Sequence, residues 1–193
     1  MIMTVSYVFE IIKEMHDEKN IMTKDRLLEI FRVEIPRIRD AFNVPEHTYV
    51  GYDYKYEVEI GEIGLNMSWP FKKIFPKLIQ DEEVLNEIIK VFNNENYGKG
   101  RGSFFYILIE MKLDQLFVEQ LINHPDFFSK PRMQYVIIYG LTKRRIRGFE
   151  KDVDTIFKSL NKRKDGVDFY NICAKYLNDT EKYKRHYSEI ITK

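Results

Sequence analysis

The chain has 193 residues, of which 44% are hydrophobic and 32% charged, a balance typical of a globular rather than a disordered protein. Its single cysteine excludes an intramolecular disulfide and a cysteine-based zinc site. No apolar run approaches the ~20 residues that a membrane-spanning helix requires, and no signal-peptide pattern opens the chain. We therefore expect a cytoplasmic protein with no membrane partner.

The net charge of +1 hides an uneven distribution. Residues 1–97 carry 12 basic and 18 acidic side chains, whereas residues 130–164 carry 11 basic and 3 acidic ones. A polarised surface and mutual compensation within the fold both fit this pattern, and we favour compensation.

The first part of the chain predicts amphipathic helices. Apolar residues recur at helical spacing over residues 4–17 and again after Thr23, a predicted N-cap. Pro36 lies inside the second apolar stripe. Because proline removes a backbone hydrogen bond, we expect a kink or a break just before it.

Residues 44–68 have a different pattern. Over residues 53–60 polar residues alternate with apolar or aromatic ones, the period of a β-strand, and Gly61 and Gly64 follow as turn residues would. We expect a small β-hairpin or extended insertion near residues 49–66. It can act as a lid over the core or as a protrusion that contacts a partner through its tyrosines, Tyr49, Tyr52, Tyr54 and Tyr56.

Every predicted element after this insertion is helical. Trp69 and Pro70 are expected to restart the helices. The expected bounds of the central helices are 103–112, 114–123, 130–143, 149–161 and 168–177, with a last helix from residue 180. Gly140 in mid-helix costs about 1 kcal/mol relative to alanine, which indicates close packing against a neighbour.

No motif for a cofactor or a metal is present in the sequence. The four histidines lie far apart, and none pairs with another histidine at the helical spacing of a metal site. Glu189 lies three residues after His186, but one such pair is common by chance and is usually solvated. The glycine-rich stretch at 98–102 lacks the P-loop spacing and follows a helix, so we expect an interhelical linker. We therefore predict no catalytic, cofactor-binding or metal-binding residues, although a serine, a histidine and an aspartate can still converge in space.

Three stretches read as helix, short turn, helix: 104–123, 133–160 and 169–191. This pattern resembles HEAT or armadillo-type helical repeats. The resemblance implies a mostly α fold of stacked αα-hairpins, which we expect to form a single domain over residues 1–193, and it implies a binding scaffold. Small helical-repeat proteins occur among bacterial toxin-immunity proteins, and one branch of DNA glycosylases uses the same architecture.

The densest basic run contains Arg144, Arg145 and Arg147. Cations at a helix C-terminus complement its dipole, and exposed ones can also bind an acidic protein or a phosphate backbone. We predict a partner-binding surface that combines these arginines with the four tyrosines, because aromatic and arginine side chains dominate interfaces.

The predicted function is a non-enzymatic, cytoplasmic protein-binding scaffold or inhibitor, and an immunity protein that binds a toxin is one form of it. The alternative is a nucleic-acid-binding helical-repeat protein with a DNA-glycosylase-like activity. The near-neutral charge and the acidic first half disfavour nucleic acid.

Overall fold

The computed structural model describes residues 5–42, 55–97, 100–160, 166–178, 185–186 and 190. Over these residues the protein is mostly helical with one small β element, which confirms the predicted fold class. The chain divides into two compact units, Met1–Ile107 and Leu108–Lys193, called here the first and the second unit. The prediction of a single domain stays a prediction.

The first unit is organised around its longest described helix. Its described elements are α1 (Val5–His16), α2 (Lys24–Glu29), a π-helical turn (Ile30–Glu34), α3 (Ile35–Phe42), α4 (Lys55–Lys73), α5 (Glu82–Asn93) and 3₁₀ turns at Leu78–Gln80, Glu95–Tyr97 and Gly100–Phe104. Helix α4 packs against α1, α3 and the turn Gly100–Phe104.

The helical segment after Thr23 continues through Pro36 without the expected break, and its hydrogen bonding becomes π-helical just before this residue, while the expected kink stays a prediction. The Thr23 side chain accepts a hydrogen bond from the Arg26 backbone N–H at 3.2 Å, which confirms the predicted N-cap. The π-helical turn Ile30–Glu34 then leads into α3, of which Pro36 is the second residue. The α-helical pattern is therefore interrupted where proline cannot donate a hydrogen bond.

Helix α4 replaces the predicted β or extended insertion from residue 55 onward. The strand expected over residues 53–60 is wrong for the described residues, and Trp69 and Pro70 continue the helix rather than restart one. Residues 43–54 lie outside the described part. Burial favours a helix over a strand here, because the side chains that α4 buries recur at steps of three and four residues. They are Ile60, Ile63, Met67 and Phe71.

Gly61 and Gly64 bring α4 into close contact with the turn Gly100–Phe104. A Cβ atom on Gly64 would lie 2.8 Å from Phe104 Cδ2, and one on Gly61 would lie 3.3 Å from Ser103 Oγ. The two glycines are therefore packing positions inside a helix rather than the turn residues we expected. Each costs about 1 kcal/mol of helix propensity, and the burial of Phe104 offsets part of that cost.

The second unit follows the predicted order of helices. Its described helices are α6 (Phe105–Glu110), which begins before the boundary, α7 (Asp114–Asn123), a 3₁₀ turn (Pro125–Ser129), α8 (Pro131–Arg144), α9 (Glu150–Ser159) and α10 (Val167–Asn178). The bounds of α6 to α10 agree with the expected ones within two residues. Helix α10 packs against both α8 and α9.

Gly140 lies at a tight contact within the second unit, as predicted. A Cβ atom on Gly140 would lie 2.7 Å from Ile109 Cδ1 and 2.7 Å from Phe117 Cζ. The missing side chain therefore lets α8 approach α6 and α7 closely, which explains a glycine in the middle of a helix.

The β element of the described residues lies in the second unit. Strand β1 (Ile146–Arg147) pairs in parallel with β2 (Arg185–His186). The last helix expected from residue 180 is therefore wrong at these two residues. Helix α8 ends at Arg144, and its C-cap residue, Arg145, has a left-handed φ of 56° that turns the chain into β1.

Candidate functional site

Two of the three arginines predicted to bind a partner are paired within the second unit. Arg144 donates hydrogen bonds of 2.7 and 3.1 Å to the Asp114 carboxylate, and this hydrogen bonding raises the pKa of Arg144. Arg147 Nε lies 2.8 Å from Glu150 Oε1, and the same carboxylate accepts a hydrogen bond from the Gly148 N–H. A ligand would have to displace these internal carboxylates to use either charge.

The cations on either side of Arg144 differ from each other. Lys143 pairs with Glu110 and donates a 3.0 Å hydrogen bond to the Tyr139 hydroxyl. Arg145, the left-handed C-cap residue of α8, is exposed. Of the three predicted arginines, Arg145 is therefore the one that presents its charge to solvent.

The four predicted tyrosines belong to the first unit and the arginines to the second. Tyr49, Tyr52 and Tyr54 lie outside the described residues. The Tyr56 backbone lies in the first turn of α4. That these tyrosines and arginines form one surface stays a prediction.

A different constellation lies on described residues of the first unit, where the end of α1 meets α4. The His16 and Trp69 rings are stacked, with centroids 5.1 Å apart and planes 8° from parallel. His16 Nε2 lies 2.9 Å from the Asn66 carbonyl oxygen, which fixes the imidazole against α4. The stack therefore holds the indole ring of Trp69 in one orientation.

A cleft of about 520 Å³ opens beside this stack. Its lining contains one carboxylate, one ammonium group, the indole and an aliphatic side chain, from Glu18, Lys73, Trp69 and Ile74. Trp69 is 41% exposed, and Leu65, one turn earlier on α4, is also exposed. The chain thus presents its only tryptophan at an open, partly apolar surface.

One exposed lysine, Lys73, lines this cleft, and two further exposed lysines lie near it in the chain. Lys72 and Lys73 lie in the last turn of α4, and Lys77 follows four residues later. Within the described part of the chain, none of the three forms an ion pair with a carboxylate. Their positive charge is therefore available to a ligand.

Sequence reasoning missed this site because it assigned Trp69 to a break between helices. Once α4 is continuous, the buried stripe that contains Met67 and Phe71 leaves Leu65 and Trp69 on another face of the helix. The sequence signal for the site was a tryptophan that lies outside the buried apolar positions of a helix. This helical spacing was not recognised because the residues before Trp69 alternate as in a strand.

A second polar cluster in the first unit is structural. Arg26 makes two 2.9 Å hydrogen bonds to the Glu14 carboxylate and further ones to Glu29 at 2.8 Å and Glu34 at 3.3 Å. Tyr7 donates its hydroxyl hydrogen to Glu34. The hydrogen bonds that Arg26 donates to Glu14 raise the pKa of Arg26. These contacts join α1 to α2 and to the π-helical turn.

The remaining reactive groups do not assemble into a recognisable centre within the described ranges. Cys173 is buried, and desolvation raises the pKa of its thiol to about 12, so it is protonated and unreactive at neutral pH. Among the residues that the structure describes, no group of three histidine, cysteine or acidic side chains is placed to hold a metal ion. Likewise, no described helix is long and apolar enough to cross a membrane.

We compared the chain with protein families, curated proteins and solved structures. No family model, curated protein or solved structure matches it.

Proposed function

We propose that the protein is a non-enzymatic scaffold or inhibitor that binds another protein, with Trp69 as its principal contact residue. The observation that carries this proposal is the exposure of Trp69, held by His16 beside an open cleft. Tryptophan is enriched among the few residues that supply most of the binding energy of an interface. A fixed ring also loses little conformational entropy when a partner covers it.

The finer features expected from the sequence belong to the same proposal. We place the protein in the cytoplasm and regard its fold as a HEAT or armadillo-like helical repeat. The packing of α10 on α8 and α9 supports the second of these. An immunity-type protein that inhibits a toxin is one form that the function can take.

The predicted tyrosine and arginine contacts remain part of the proposal. Arg145 is exposed and can contact an acidic partner directly. Arg144 and Arg147 contribute only if their pairs with Asp114 and Glu150 rearrange on binding. Alanine substitution of the tyrosines, at Tyr49, Tyr52, Tyr54 and Tyr56, tests their part separately.

The second candidate is nucleic-acid binding, with a DNA-glycosylase-like activity as one form. The exposed lysines near Trp69, which have no ion-pair partner among the described residues, favour it, because single strands bind where aromatic rings and cations combine. The acidic balance of the first unit opposes it: residues 1–107 contain 14 basic and 18 acidic side chains.

Affinity capture with the full-length chain tests the leading proposal. Wild type should retain a defined partner protein, and Trp69→Ser should retain at least about tenfold less of it. Ile122→Ser is the matched control, since Ile122 is an equally exposed apolar residue of α7. Equal retention by wild type and Trp69→Ser would contradict the proposal.

A further inference from the structure

We propose that the cleft beside Trp69 binds an acidic segment of the partner protein. An apolar side chain of that segment lies against Trp69 and Ile74, and its carboxylates pair with Lys72, Lys73 and Lys77. This inference rests on the proposed function and adds the chemical class of the partner.

The apolar half of the cleft is arranged to receive a side chain. The stack on His16 covers one face of the indole, and the residue is nevertheless 41% exposed. Ile74 continues the apolar lining beyond the end of α4. An aromatic or aliphatic side chain placed here removes apolar surface from water on both molecules.

The end of α4 is held in place by buried aromatic residues. Phe71 and Phe75 are buried and meet edge to face, with ring centroids 5.0 Å apart. The Pro70 carbonyl accepts hydrogen bonds from the Ile74 and Phe75 N–H groups, at 2.8 and 3.0 Å. The cleft is therefore lined by a helix end that is packed before any ligand arrives, which lowers the entropic cost of binding.

The exposed lysines at and after the end of α4 favour an acidic ligand. Lys73 lines the cleft together with one carboxylate, that of Glu18. Lys72 and Lys77 are exposed and lie one and four residues from Lys73 in the chain, and among the described residues none of the three lysines has an ion-pair partner. A carboxylate placed near Lys72 or Lys73 gains an attraction that no carboxylate in the described part of the chain already supplies. A basic segment would be repelled at the same place.

The same observations favour a protein segment over a nucleic acid. A polynucleotide extends beyond three lysines and meets the acidic balance of the first unit, with 14 basic and 18 acidic side chains. Single-stranded nucleic acid also relies on several successive stacking platforms. The described cleft contains one aromatic ring, Trp69.

The single tryptophan gives a direct binding assay on the full-length protein, because its fluorescence reports on the cleft itself. The probe is a short synthetic peptide of glutamate and aspartate residues with one central phenylalanine. Matched peptides replace the acidic residues with glutamine and asparagine, or with lysine, and a thymidine oligonucleotide serves as the nucleic-acid probe. We expect saturable changes in emission with the acidic peptide, weakening as salt is added.

A variant with Lys72→Gln, Lys73→Gln and Lys77→Gln should bind the acidic peptide roughly tenfold more weakly. Lys151→Gln, an exposed lysine of α9, should bind it as wild type does. Circular dichroism of each variant confirms that it is folded, so that loss of binding reports on the charges alone.

Three results would overturn the inference: no saturable change with the acidic peptide, equal affinity for the neutral or lysine peptide, or tighter binding of the oligonucleotide. Failure of the proposed function is distinguishable from these. If Trp69→Ser lowers capture of a partner whose contact segment is neutral or basic, the function stands and the acidic assignment fails. If Trp69→Ser leaves capture unchanged, the function itself fails.

Discussion

Two helix ends in this protein carry similar basic sequences and present them in opposite ways. At the end of α8, Lys143 and Arg144 each have an acidic partner within their own unit, and so does Arg147 just after the helix. At the end of α4, Lys72 and Lys73 are exposed and lack an ion-pair partner among the described residues. The denser run in the sequence is thus largely neutralised, and the sparser one is available, so charge density alone does not locate a binding surface.

The largest effect on stability is expected from breaking the Arg144–Asp114 pair, the most buried of the three ion pairs around the end of α8. Asp114→Asn leaves the Arg144 guanidinium without its carboxylate, and the Arg144 side chain is only 18% exposed. We expect the free energy of unfolding to fall by about 3 kcal/mol, measured by urea denaturation.

The control for Asp114→Asn is Asp154→Asn, which breaks the exposed pair with Lys158 in α9. It should cost about 0.3–0.5 kcal/mol. A loss for Asp114→Asn as small as that of the control would show that the region after α8 does not depend on its internal pairs.

A smaller effect, with a defined pH dependence, is expected at Glu150. Burial raises its pKa, but the hydrogen bonds from Arg147 and the backbone outweigh burial and hold the pKa below its usual range. A lowered folded-state pKa means that the ionised form stabilises the fold above the unfolded pKa, and that this stability is lost as pH falls through the folded one.

Glu150→Gln should therefore destabilise the protein by about 1 kcal/mol at pH 7. The difference from wild type should shrink below about pH 4.3, where a free glutamate protonates. Urea denaturation at a series of pH values measures this, and a difference that is constant with pH would contradict the role of the ionised pair.

Arg145→Gly should stabilise the protein by about 0.5–1 kcal/mol, because Arg145 has a left-handed backbone with φ of 56°. Arg145→Ala is the matched control, since it removes the same charge and keeps a Cβ atom. Thermal denaturation should show a gain for glycine over alanine. Equal stability of the two variants would indicate that the turn after α8 carries no strain.

The smallest effect on stability is expected from the exposed lysines at and after the end of α4, which have no ion-pair partner among the described residues. Lys72→Gln, Lys73→Gln and Lys77→Gln together should change the free energy of unfolding by no more than about 0.5 kcal/mol, because exposed side chains without partners contribute little. Urea denaturation of the combined variant checks this. A loss of several kcal/mol would mean that these lysines hold the fold and are not available to a ligand.

The helices were predictable where apolar residues recur only at helical spacing. The bounds of α7 follow from this spacing and from Asp114 in its first turn. A glycine in mid-helix, Gly140, correctly predicted a tight contact. Around residues 53–60 a strand-like alternation competed with a helical stripe. The helix prevails from residue 55 because Gly61 and Gly64 allow α4 to pack against the chain at Phe104, a long-range contact that no local pattern contains.

The candidate site was less predictable than the fold. The arginines were visible as a charge run, but their carboxylates, Asp114 and Glu150, are known only once the helices are packed. The reverse holds for Trp69, whose place beside His16 depends on a contact between residues 53 positions apart in the chain. Pairing and exposure are properties of the folded chain, so composition could not separate the two basic regions.

The most direct test of this account is capture of the partner by Trp69→Ser and Arg145→Ala side by side, with wild type as reference. The account predicts that Trp69→Ser retains at least about tenfold less partner than wild type. Arg145→Ala should reduce retention only a few-fold, as expected of a single exposed charge. Full retention by Trp69→Ser, with loss in Arg145→Ala, would place the interface after α8 and contradict the central role of Trp69.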